Sequence, residues 1–293
     1  GVMVTADLAA VDKRYFTAEN FIRRTGSSSF TPTAADQEIL KDKSYYRVYN
    51  IQNQGMEAWA EARTSNFHNS IGGYHGAKIR RYQDLYDSCI RDQTQQLFND
   101  VRTARLYFEN YGVLNMLNIK YYIYGPEKNN LIINTQTSGN AWFVQRVEKV
   151  SSPTEELEKV CEVNTNMVAV VNINENPLPE IQYDTFAVID LKEHAPNRLV
   201  YESESQTQGL AVFSEIYYPR GWKATIDGQP ADILRANYIL RALVIPAGRH
   251  TIEFRFEPAA YMIGNKITMA GSWLLVLIVI ASIGLSLKKE LSE

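Results

Sequence analysis

An uncharged apolar run near the C-terminus constrains this chain more than any other feature. It extends from Ile267 to Leu287 and reads ITMAGSWLLVLIVIASIGLSL. A helix needs about 20 mostly apolar residues to cross the hydrocarbon core of a bilayer. A buried core helix of that length normally shows a polar stripe, which this run lacks. We therefore predict one transmembrane helix that binds the chain to the lipid bilayer.

The charges on either side of this run predict its orientation. Lys266 precedes it, and Lys288 and Lys289 follow it. Lysine and arginine are enriched on the cytoplasmic side of membrane spans. We expect the short tail in the cytoplasm and the bulk of the chain on the extracytoplasmic, periplasmic side of the inner (cytoplasmic) membrane.

The N-terminal sequence lacks the features of an export signal. GVMVTADLAAVDKRYF has neither the basic start nor the apolar stretch of a signal peptide. An exported domain needs such a signal or an earlier membrane span. We expect the native protein to continue upstream of Gly1 with at least one further span.

Length and composition indicate that the rest of the chain, before the predicted transmembrane helix, is globular. The chain has 293 residues, 45% of them apolar and 22% charged, which allows about two domains with real cores. The net charge of −3 offers no broad positive field for nucleic acid, so we predict no nucleic-acid partner. We predict an α+β fold in three parts. A mixed α/β domain covers 1–163, a jelly-roll-like antiparallel β-sandwich covers 164–262, and a transmembrane helix with a short tail covers 263–293.

Local signals support this division. Thr31, followed by proline, predicts a helix start with Thr31 as N-cap. Apolar residues at three- and four-residue steps predict a helix from about Tyr74 to Ile90. Ser152, again before proline, predicts a short acidic helix. After about Asn164, short alternating segments predict a sandwich. They are MVAVV, TFAVIDL, RLVYES, GLAVFSEIY, WKATI, ADILRA, YILRALVI and HTIEFRF. The sequence Asp227-Gly228 predicts a hairpin between WKATI and ADILRA.

The two cysteines leave two interpretations open. Cys89 follows Tyr82 and Leu85 at helical spacing, which favours a buried apolar thiol. The alternative is a disulfide with Cys161, which an oxidising compartment permits. Neither cysteine nor any histidine has metal-ligand spacing to a second ligand, so we predict no metal and no cofactor.

The first candidate ligand site is the segment FHNSIGGYHGAKIRR. Its candidate binding residues are Tyr74, His75, Lys78 and Arg81. A glycine-rich approach to a helix N-terminus exposes backbone N–H groups that bind anions. The alternative, which the sequence favours, is a tight turn followed by a solvated basic helix face, since the order of residues is not that of a phosphate loop.

The second candidate site is Asn140 with Trp142. An exposed tryptophan stacks on a sugar ring and a neighbouring asparagine hydrogen-bonds it. The favoured alternative is a buried tryptophan at the start of a strand. A third aromatic cluster, from Tyr217 to Trp222, is predicted to cover the edge of the sandwich.

No complete catalytic motif is present in the sequence. The G-x-S-x-G elbow is missing, and the four histidines have no spacing typical of a metal site. A glycosidase needs two carboxylates opposed across a cleft, and no motif supports such a pair. A self-contained hydrolase is therefore the least favoured interpretation, and we predict no catalytic residue.

Several segments resemble one known family. VLNMLNIKYYI, GNAWFV, the block from Val212 to Pro258 and the closing apolar helix resemble the C-terminal region of YfhO-type bacterial membrane proteins. HNSIGGYHGAKIRRYQDL is similar to the corresponding region of the Bacteroidetes branch. The resemblance covers nearly the whole chain.

The resemblance implies a multi-spanning membrane protein related to lipid-linked-sugar glycosyltransferases. The catalytic carboxylate of such enzymes is expected in an early outer loop, so no catalytic residue carries over. The implied role is a non-catalytic extracytoplasmic domain that binds an acceptor or partner in cell-envelope glycan modification. The implied partners are an envelope glycan or a lipid-linked sugar. The alternative is a membrane-tethered carbohydrate- or protein-binding module with no enzymatic parent.

Overall fold

The computed structural model describes residues 2–15, 31–52, 59–74 and 76–290, with side chains in the last helix described up to Gly284. These residues form a mixed α/β region, a β-rich sandwich and one C-terminal apolar helix. The predicted α+β fold class is confirmed.

The helices lie mainly in the N-terminal half. In chain order they are α1 (Val2–Tyr15), α2 (Ala34–Ile39), α3 (Arg80–Leu85), α4 (Arg91–Thr103), α5 (Gly112–Met116), α6 (Pro153–Glu162) and α7 (Ala259–Glu290). A π-helical segment, Tyr86–Ile90, joins α3 to α4. Short 3-10 helices lie at Thr64–Asn66 and Phe108–Asn110.

The strands extend from Arg47 to Phe256. The first seven are β1 (Arg47–Asn50), β2 (Ile119–Ile123), β3 (Leu131–Ile133), β4 (Ala141–Phe143), β5 (Arg146–Val150), β6 (Val168–Asn172) and β7 (Val188–Ala195). The others are β8 (Arg198–Ser205), β9 (Gly209–Ile216), β10 (Trp222–Ile226), β11 (Gln229–Ala231), β12 (Leu234–Ala236), β13 (Leu240–Ile245) and β14 (Gly248–Phe256).

Two antiparallel sheets form the sandwich. The five-stranded sheet has the order β11-β10-β14-β8-β7, and the four-stranded sheet has the order β12-β13-β9-β4. Their facing sides share one apolar core, to which Tyr201 and Phe254 contribute from one sheet and Phe213 and Leu243 from the other. The outer side of β8 carries charged residues, so its sequence alternates as a half-buried strand should.

The four-stranded sheet is buried on both of its faces. Its second face, which includes Leu210, Val212 and Leu240, packs into the largest apolar cluster together with residues of the helical region. Apolar residues on both faces of a strand give a nearly continuous apolar run. This burial explains why β9 and β13 do not alternate cleanly.

The strand pairing differs from the prediction in three places. β6, predicted as a sandwich strand, pairs in parallel with β5 in a separate two-stranded sheet. ADILRA divides into β11 and β12, which lie in different sheets. β4 comes from the predicted N-terminal domain but pairs with β9. Strand pairing thus crosses the boundary at residue 163, and the division into domains remains a prediction.

Two local predictions are confirmed and one is wrong. Asp227 and Gly228 have φ values of 50° and 81°, as a two-residue hairpin turn requires, and they join β10 to β11. The Ser152 side chain caps α6. Thr31 does not cap α2, because Thr33 does so in a reciprocal capping box with Asp36.

The helix predicted from Tyr74 begins later. Residues 76–79 are non-helical, and α3 starts at Arg80 without a side-chain cap. The predicted apolar face is buried, with Leu85 and Cys89 in the core. The favoured interpretation of Cys89 as an unpaired thiol is wrong. It forms a disulfide with Cys161, which links the π-helical segment to α6 at a Cα–Cα distance of 5.4 Å.

Helix α7 follows the sandwich after only two residues. Within the described part of the chain it is the one helix that is long and apolar enough to cross a membrane, over Ala259–Gly284, and none of that segment is buried. The candidate span begins earlier than the predicted Ile267, so it starts almost at the end of β14.

Candidate functional site

The strongest candidate site is a cavity of 250 Å³ that we call the arginine–tyrosine cavity. It is lined by Ile79, Arg81, Ile216, Tyr217, Tyr218, Pro219, Arg235, Tyr238 and Ile239. Pockets for small molecules usually measure about 300–1,000 Å³. The cavity is therefore sized for part of a ligand rather than for a whole one.

Four separate parts of the fold converge on this cavity. Arg81 lies on α3, Tyr217 to Pro219 connect β9 to β10, Arg235 lies on β12, and Tyr238 precedes β13. This convergence requires the layered packing of the helical region on the four-stranded sheet. No segment of the sequence contains the site by itself.

The turn before β13 has an unusual backbone. Asn237 and Tyr238 have φ values of 49° and 68°, which are uncommon for residues with side chains. Asn237 fixes the turn because it exchanges two 2.8 Å hydrogen bonds with Val170, one through its backbone N–H and one through its side-chain oxygen. Such strained positions cluster at functional sites, and this one holds the Tyr238 ring against the cavity.

An ionic network holds the two arginines of the cavity wall in place. Arg81 Nη1 lies 3.4 Å from Glu156 Oε2, and Arg81 Nη2 lies 3.5 Å from Glu175 Oε2. Arg235 pairs with both carboxylates, at 3.7 Å from Glu156. The Tyr238 backbone N–H donates to Glu156 Oε1 at 3.1 Å. Two arginines therefore face two carboxylates, and the four charges balance.

The two carboxylates differ in exposure. The side chain of Glu156 is 0% exposed, while that of Glu175 is 40% exposed. Burial raises the pKa of the Glu156 carboxyl, against the opposing effects of Arg235, the Tyr238 N–H and Arg81. Glu156 is thus a fixed part of the interior, whereas Glu175 lies on the solvent side of the two arginines.

Arg235 retains one hydrogen-bond donor without a partner. Its Nε is buried and makes no hydrogen bond in the described structure. Most buried donors in proteins have a partner, so this unpartnered one is an exception. The Arg81 guanidinium lies 4.6 Å from the centre of the Tyr238 ring, a distance typical of cation–π contacts.

The segment that follows Pro219 of the cavity wall packs on the residues that lead into α7. Gly221 has a φ of 98°, and a Cβ atom added there would lie 2.8 Å from the Phe256 ring and 3.0 Å from Pro258. The Gly221 carbonyl accepts a hydrogen bond of 2.6 Å from the Glu257 N–H. Only glycine fits this contact, which brings the chain two residues after the cavity-lining Pro219 against the start of α7.

The structure separates the residues of the first sequence-predicted site. Arg81 lies in the cavity, while Lys78 Nζ lies 5.0 Å from the centre of the Trp59 ring. Tyr74 is 86% exposed, and His75 lies outside the described residues. Gly73 has a φ of 136°, in keeping with the alternative interpretation of a tight turn. Ligand binding by this set remains a prediction.

The second predicted pair makes structural contacts. Trp142 donates from Nε1 to the Thr165 carbonyl at 3.1 Å and packs against the large core. Asn140 Oδ1 accepts a 2.9 Å hydrogen bond from Asn118 Nδ2. These contacts use the groups that were predicted to meet a sugar, and sugar binding by the pair stays a prediction.

Sequence reasoning did not single out Arg235, Tyr238 or Glu175 as site residues. Arg235 stands in an alternating strand, and Glu175 stands in a loop rich in asparagine. The available signal was the aromatic cluster from Tyr217 to Trp222, whose first residues line the cavity. For Glu156, the only signal was its place in the first turn of α6.

A second arginine group, which we call the inter-sheet cluster, lies nearby. It consists of Tyr45, Arg47, Glu215 and Arg241. Arg47 Nη2 lies 3.5 Å from Glu215 Oε1, and the Tyr45 hydroxyl donates to the same oxygen at 3.1 Å. Arg241 is 3% exposed. Its guanidinium lies 3.9 Å from the centre of the Trp222 ring.

The charges of the inter-sheet cluster do not balance. Burial lowers the pKa of the Arg241 guanidinium, with Glu215 opposing it, and Arg241 Nη1 has no described hydrogen-bond partner. Burial acts against the charge of Arg47 as well, but Glu215 and nearby tyrosines hold its pKa above the usual value. Within the described structure Glu215 pairs with Arg47, whereas Arg241 donates from Nε to the Ile216 carbonyl at 3.2 Å and forms no ion pair.

Comparison with known proteins identifies one family. The model of the family described as bacterial membrane protein YfhO matches residues 156–268. We call these matched residues, 156–268, the YfhO region. The YfhO region includes Glu156, Arg235 and the start of α7, while Arg81 lies before it. No curated protein and no solved structure matches the chain. Membership of the Bacteroidetes branch remains a prediction.

Within the described ranges, no group of three or more His, Cys, Asp or Glu side chains is arranged to hold a metal ion. The side chains that line the cavity are those of arginine, tyrosine and apolar residues. Such a wall positions a ligand by apolar contact and charge.

Proposed function

We propose that this chain is the non-catalytic, extracytoplasmic domain of a multi-spanning membrane protein related to lipid-linked-sugar glycosyltransferases. Its role is to bind an acceptor or a partner, an envelope glycan or a lipid-linked sugar, in cell-envelope glycan modification. The observation that carries the proposal is the position of the arginine–tyrosine cavity near the first residues of α7. The YfhO region supports the relation to membrane proteins.

The disulfide supports the extracytoplasmic location. Cys89 and Cys161 are paired, and disulfides persist in oxidising compartments but are rare in the cytosol. Lys288 and Lys289 follow the apolar segment, which favours a cytoplasmic tail. The domain would then lie on the periplasmic face of the inner membrane, with α7 crossing it.

The cavity supports a binding role. Its wall is mainly apolar and aromatic, with a few fixed polar groups that would orient a ligand. A nucleophile beside a general base, which many hydrolases use, does not occur among the residues that line it. The tyrosines offer both flat rings and hydroxyl groups, a combination suited to sugars and to amphipathic lipids.

Two adjacent arginines provide the test. Arg81 lies in the cavity, while Arg80 has an 89% exposed side chain and pairs with Asp84 on the surface. In cells that lack the parent gene, we would express full-length protein with Arg81→Ala or with Arg80→Ala and analyse the envelope glycans. The proposal expects loss of the modification with Arg81→Ala only, at equal membrane abundance. Full modification with both variants would contradict it.

The gene upstream of Gly1 distinguishes this proposal from a tethered binding module without an enzymatic parent. Many upstream membrane spans, with an acidic residue in the first outer loop, would support the glycosyltransferase-like parent. A lone signal peptide would favour the tethered module. α7 provides the anchor in both cases.

A further inference from the structure

We propose that the arginine–tyrosine cavity binds an anionic phospholipid of the surrounding bilayer. The phosphate replaces the Glu175 carboxylate on Arg81 and Arg235, and the glycerol with the start of the acyl chains occupies the apolar part of the cavity. This lipid site rests on the proposed function in one respect only, which is that α7 inserts in the membrane and brings the cavity to its surface.

The length of α7 and the contacts at its start together place the cavity near the headgroup layer. The candidate span Ala259–Gly284 has 26 residues, which at 1.5 Å per residue make a helix of about 39 Å. The hydrocarbon core is about 30 Å thick, so the helix ends lie among the headgroups. Gly221, two residues after Pro219 of the cavity wall, lies against Phe256 and Pro258 immediately before α7. The cavity is therefore within reach of lipids beside the helix.

The ionic network contains a carboxylate that a ligand can displace. Glu156 is fully buried and accepts the Tyr238 N–H, so it is fixed. Glu175 is 40% exposed and occupies the outer position between Arg81 and Arg235. Arginine binds phosphate with two parallel hydrogen bonds, and charge-assisted bonds of this kind are strong. Glu175 thus occupies the position that a phosphate anion would take.

The rest of the cavity matches the remaining parts of a phospholipid. Ile79 and Tyr218 are 40% and 45% exposed at the cavity, so apolar surface is open to solvent there. Because 250 Å³ holds only part of a ligand, the acyl chains would extend out of the cavity toward the bilayer.

A titration of the full chain in detergent tests the site. The probes are dihexanoyl-phosphatidylglycerol, dihexanoyl-phosphatidylcholine and inorganic phosphate, and the readout is the dissociation constant by calorimetry at low salt. We expect phosphatidylglycerol to bind wild type and Arg80→Ala alike, at least about tenfold more tightly than phosphatidylcholine. We expect Arg81→Ala to lose most of this binding.

Each other result overturns the lipid site. Equal affinity for both lipids would exclude recognition of the anion, and equal binding by inorganic phosphate alone would show that the acyl chains contribute nothing. Absence of binding, or binding that Arg81→Ala leaves unchanged, would exclude the cavity. If the lipid fails to bind while glycan modification still depends on Arg81, the lipid site is wrong and the proposed function stands.

A second variant remains informative if Arg81→Ala does not fold. Glu175→Gln removes the competing negative charge but keeps the shape of the side chain. We expect phosphatidylglycerol to bind this variant about tenfold more tightly than wild type, a difference of about 1.4 kcal/mol. A purely structural ion pair predicts unchanged or weaker binding. Either of those two results would contradict the exchange of Glu175 for phosphate.

Discussion

The protein contains two arginine clusters at the end of the sandwich that leads into α7, and they are built differently. At the arginine–tyrosine cavity, two arginines face two carboxylates, and Glu175 is partly exposed. In the inter-sheet cluster, the one carboxylate is that of Glu215, which pairs with Arg47 and not with Arg241, and all three side chains are largely buried. One cluster is balanced and open, and the other is unbalanced and closed.

This difference in exposure and charge balance indicates that the two clusters have different roles. A closed cluster restricts how layers meet, because any other packing would leave its charges unpaired. An open cluster beside a cavity has a group that can exchange with a ligand. We therefore assign a structural role to the inter-sheet cluster and a binding role to the cavity. The following predictions test that assignment, from the largest expected effect to the smallest.

The largest effect is expected from Glu215→Gln. The change removes the carboxylate that pairs with Arg47, and breaking a buried pair in this way costs about 3–5 kcal/mol. Chemical denaturation of the full chain in detergent micelles measures the free energy of unfolding. Glu202→Gln, on the outer face of β8, is the control and should cost under about 1 kcal/mol. Equal losses in the two variants would contradict a structural role for the inter-sheet cluster.

Loss of the disulfide, which lies on the side of the cavity, should give the next largest fall in the free energy of unfolding. Cys89 follows α3, which carries Arg81, and Cys161 lies on α6, which carries Glu156. Replacing both cysteines by serine should lower the free energy of unfolding by about 2–4 kcal/mol. A reductant should lower the melting temperature of wild type and leave the double variant unchanged. Two reactive thiols in protein purified without reductant would contradict the pairing.

The two carboxylates of the cavity should respond unequally. Glu156→Gln replaces an acceptor oxygen by an NH2 group in a fully buried set of contacts with Arg81, Arg235 and the Tyr238 N–H, at a cost of about 2 kcal/mol. Glu175→Gln alters a partly exposed pair and should cost under about 1 kcal/mol. The same denaturation series measures both variants. If Glu175→Gln proved the more destabilising, Glu175 would be a fixed structural partner rather than an exchangeable one.

The smallest effect is expected at the hairpin remote from both clusters. His250 Nδ1 lies 2.6 Å from Asp227 Oδ2, and this contact raises the pKa of His250 above its usual value near 6.5. Its stabilisation is complete below that value and is lost as the pH rises through the raised pKa. The melting temperature of wild type should fall slightly over that range, and that of His250→Gln should not. A parallel fall in both would exclude this pair as the cause.

Predictions from sequence succeeded where the signal was local. The Asp227-Gly228 turn and the Ser152 cap depend on neighbouring residues, and both are as predicted. The apolar segment after Ile267 is also a property of one stretch, although the candidate span begins nearer the body, at Ala259. Local backbone preference and hydropathy suffice for such features.

The site and the pairing of strands depend on contacts between distant residues. Arg81 meets Glu156 across 75 positions, and Cys89 meets Cys161 across 72. β4 enters the sandwich by pairing with β9, which no alternation of its three residues could indicate. Such contacts arise from packing of layers that share one buried sheet, so residue spacing along the chain carries no signal for them.

The most direct test of the central claim is a cross-linking measurement in bilayer vesicles. A benzophenone amino acid placed at Tyr218, in the cavity wall, or at Gln229, at the hairpin after β10, reports which end of the sandwich meets the lipids. The account predicts lipid adducts by mass spectrometry from position 218 and none from position 229. Adducts of equal yield at both positions, or from position 229 alone, would contradict a cavity that faces the membrane.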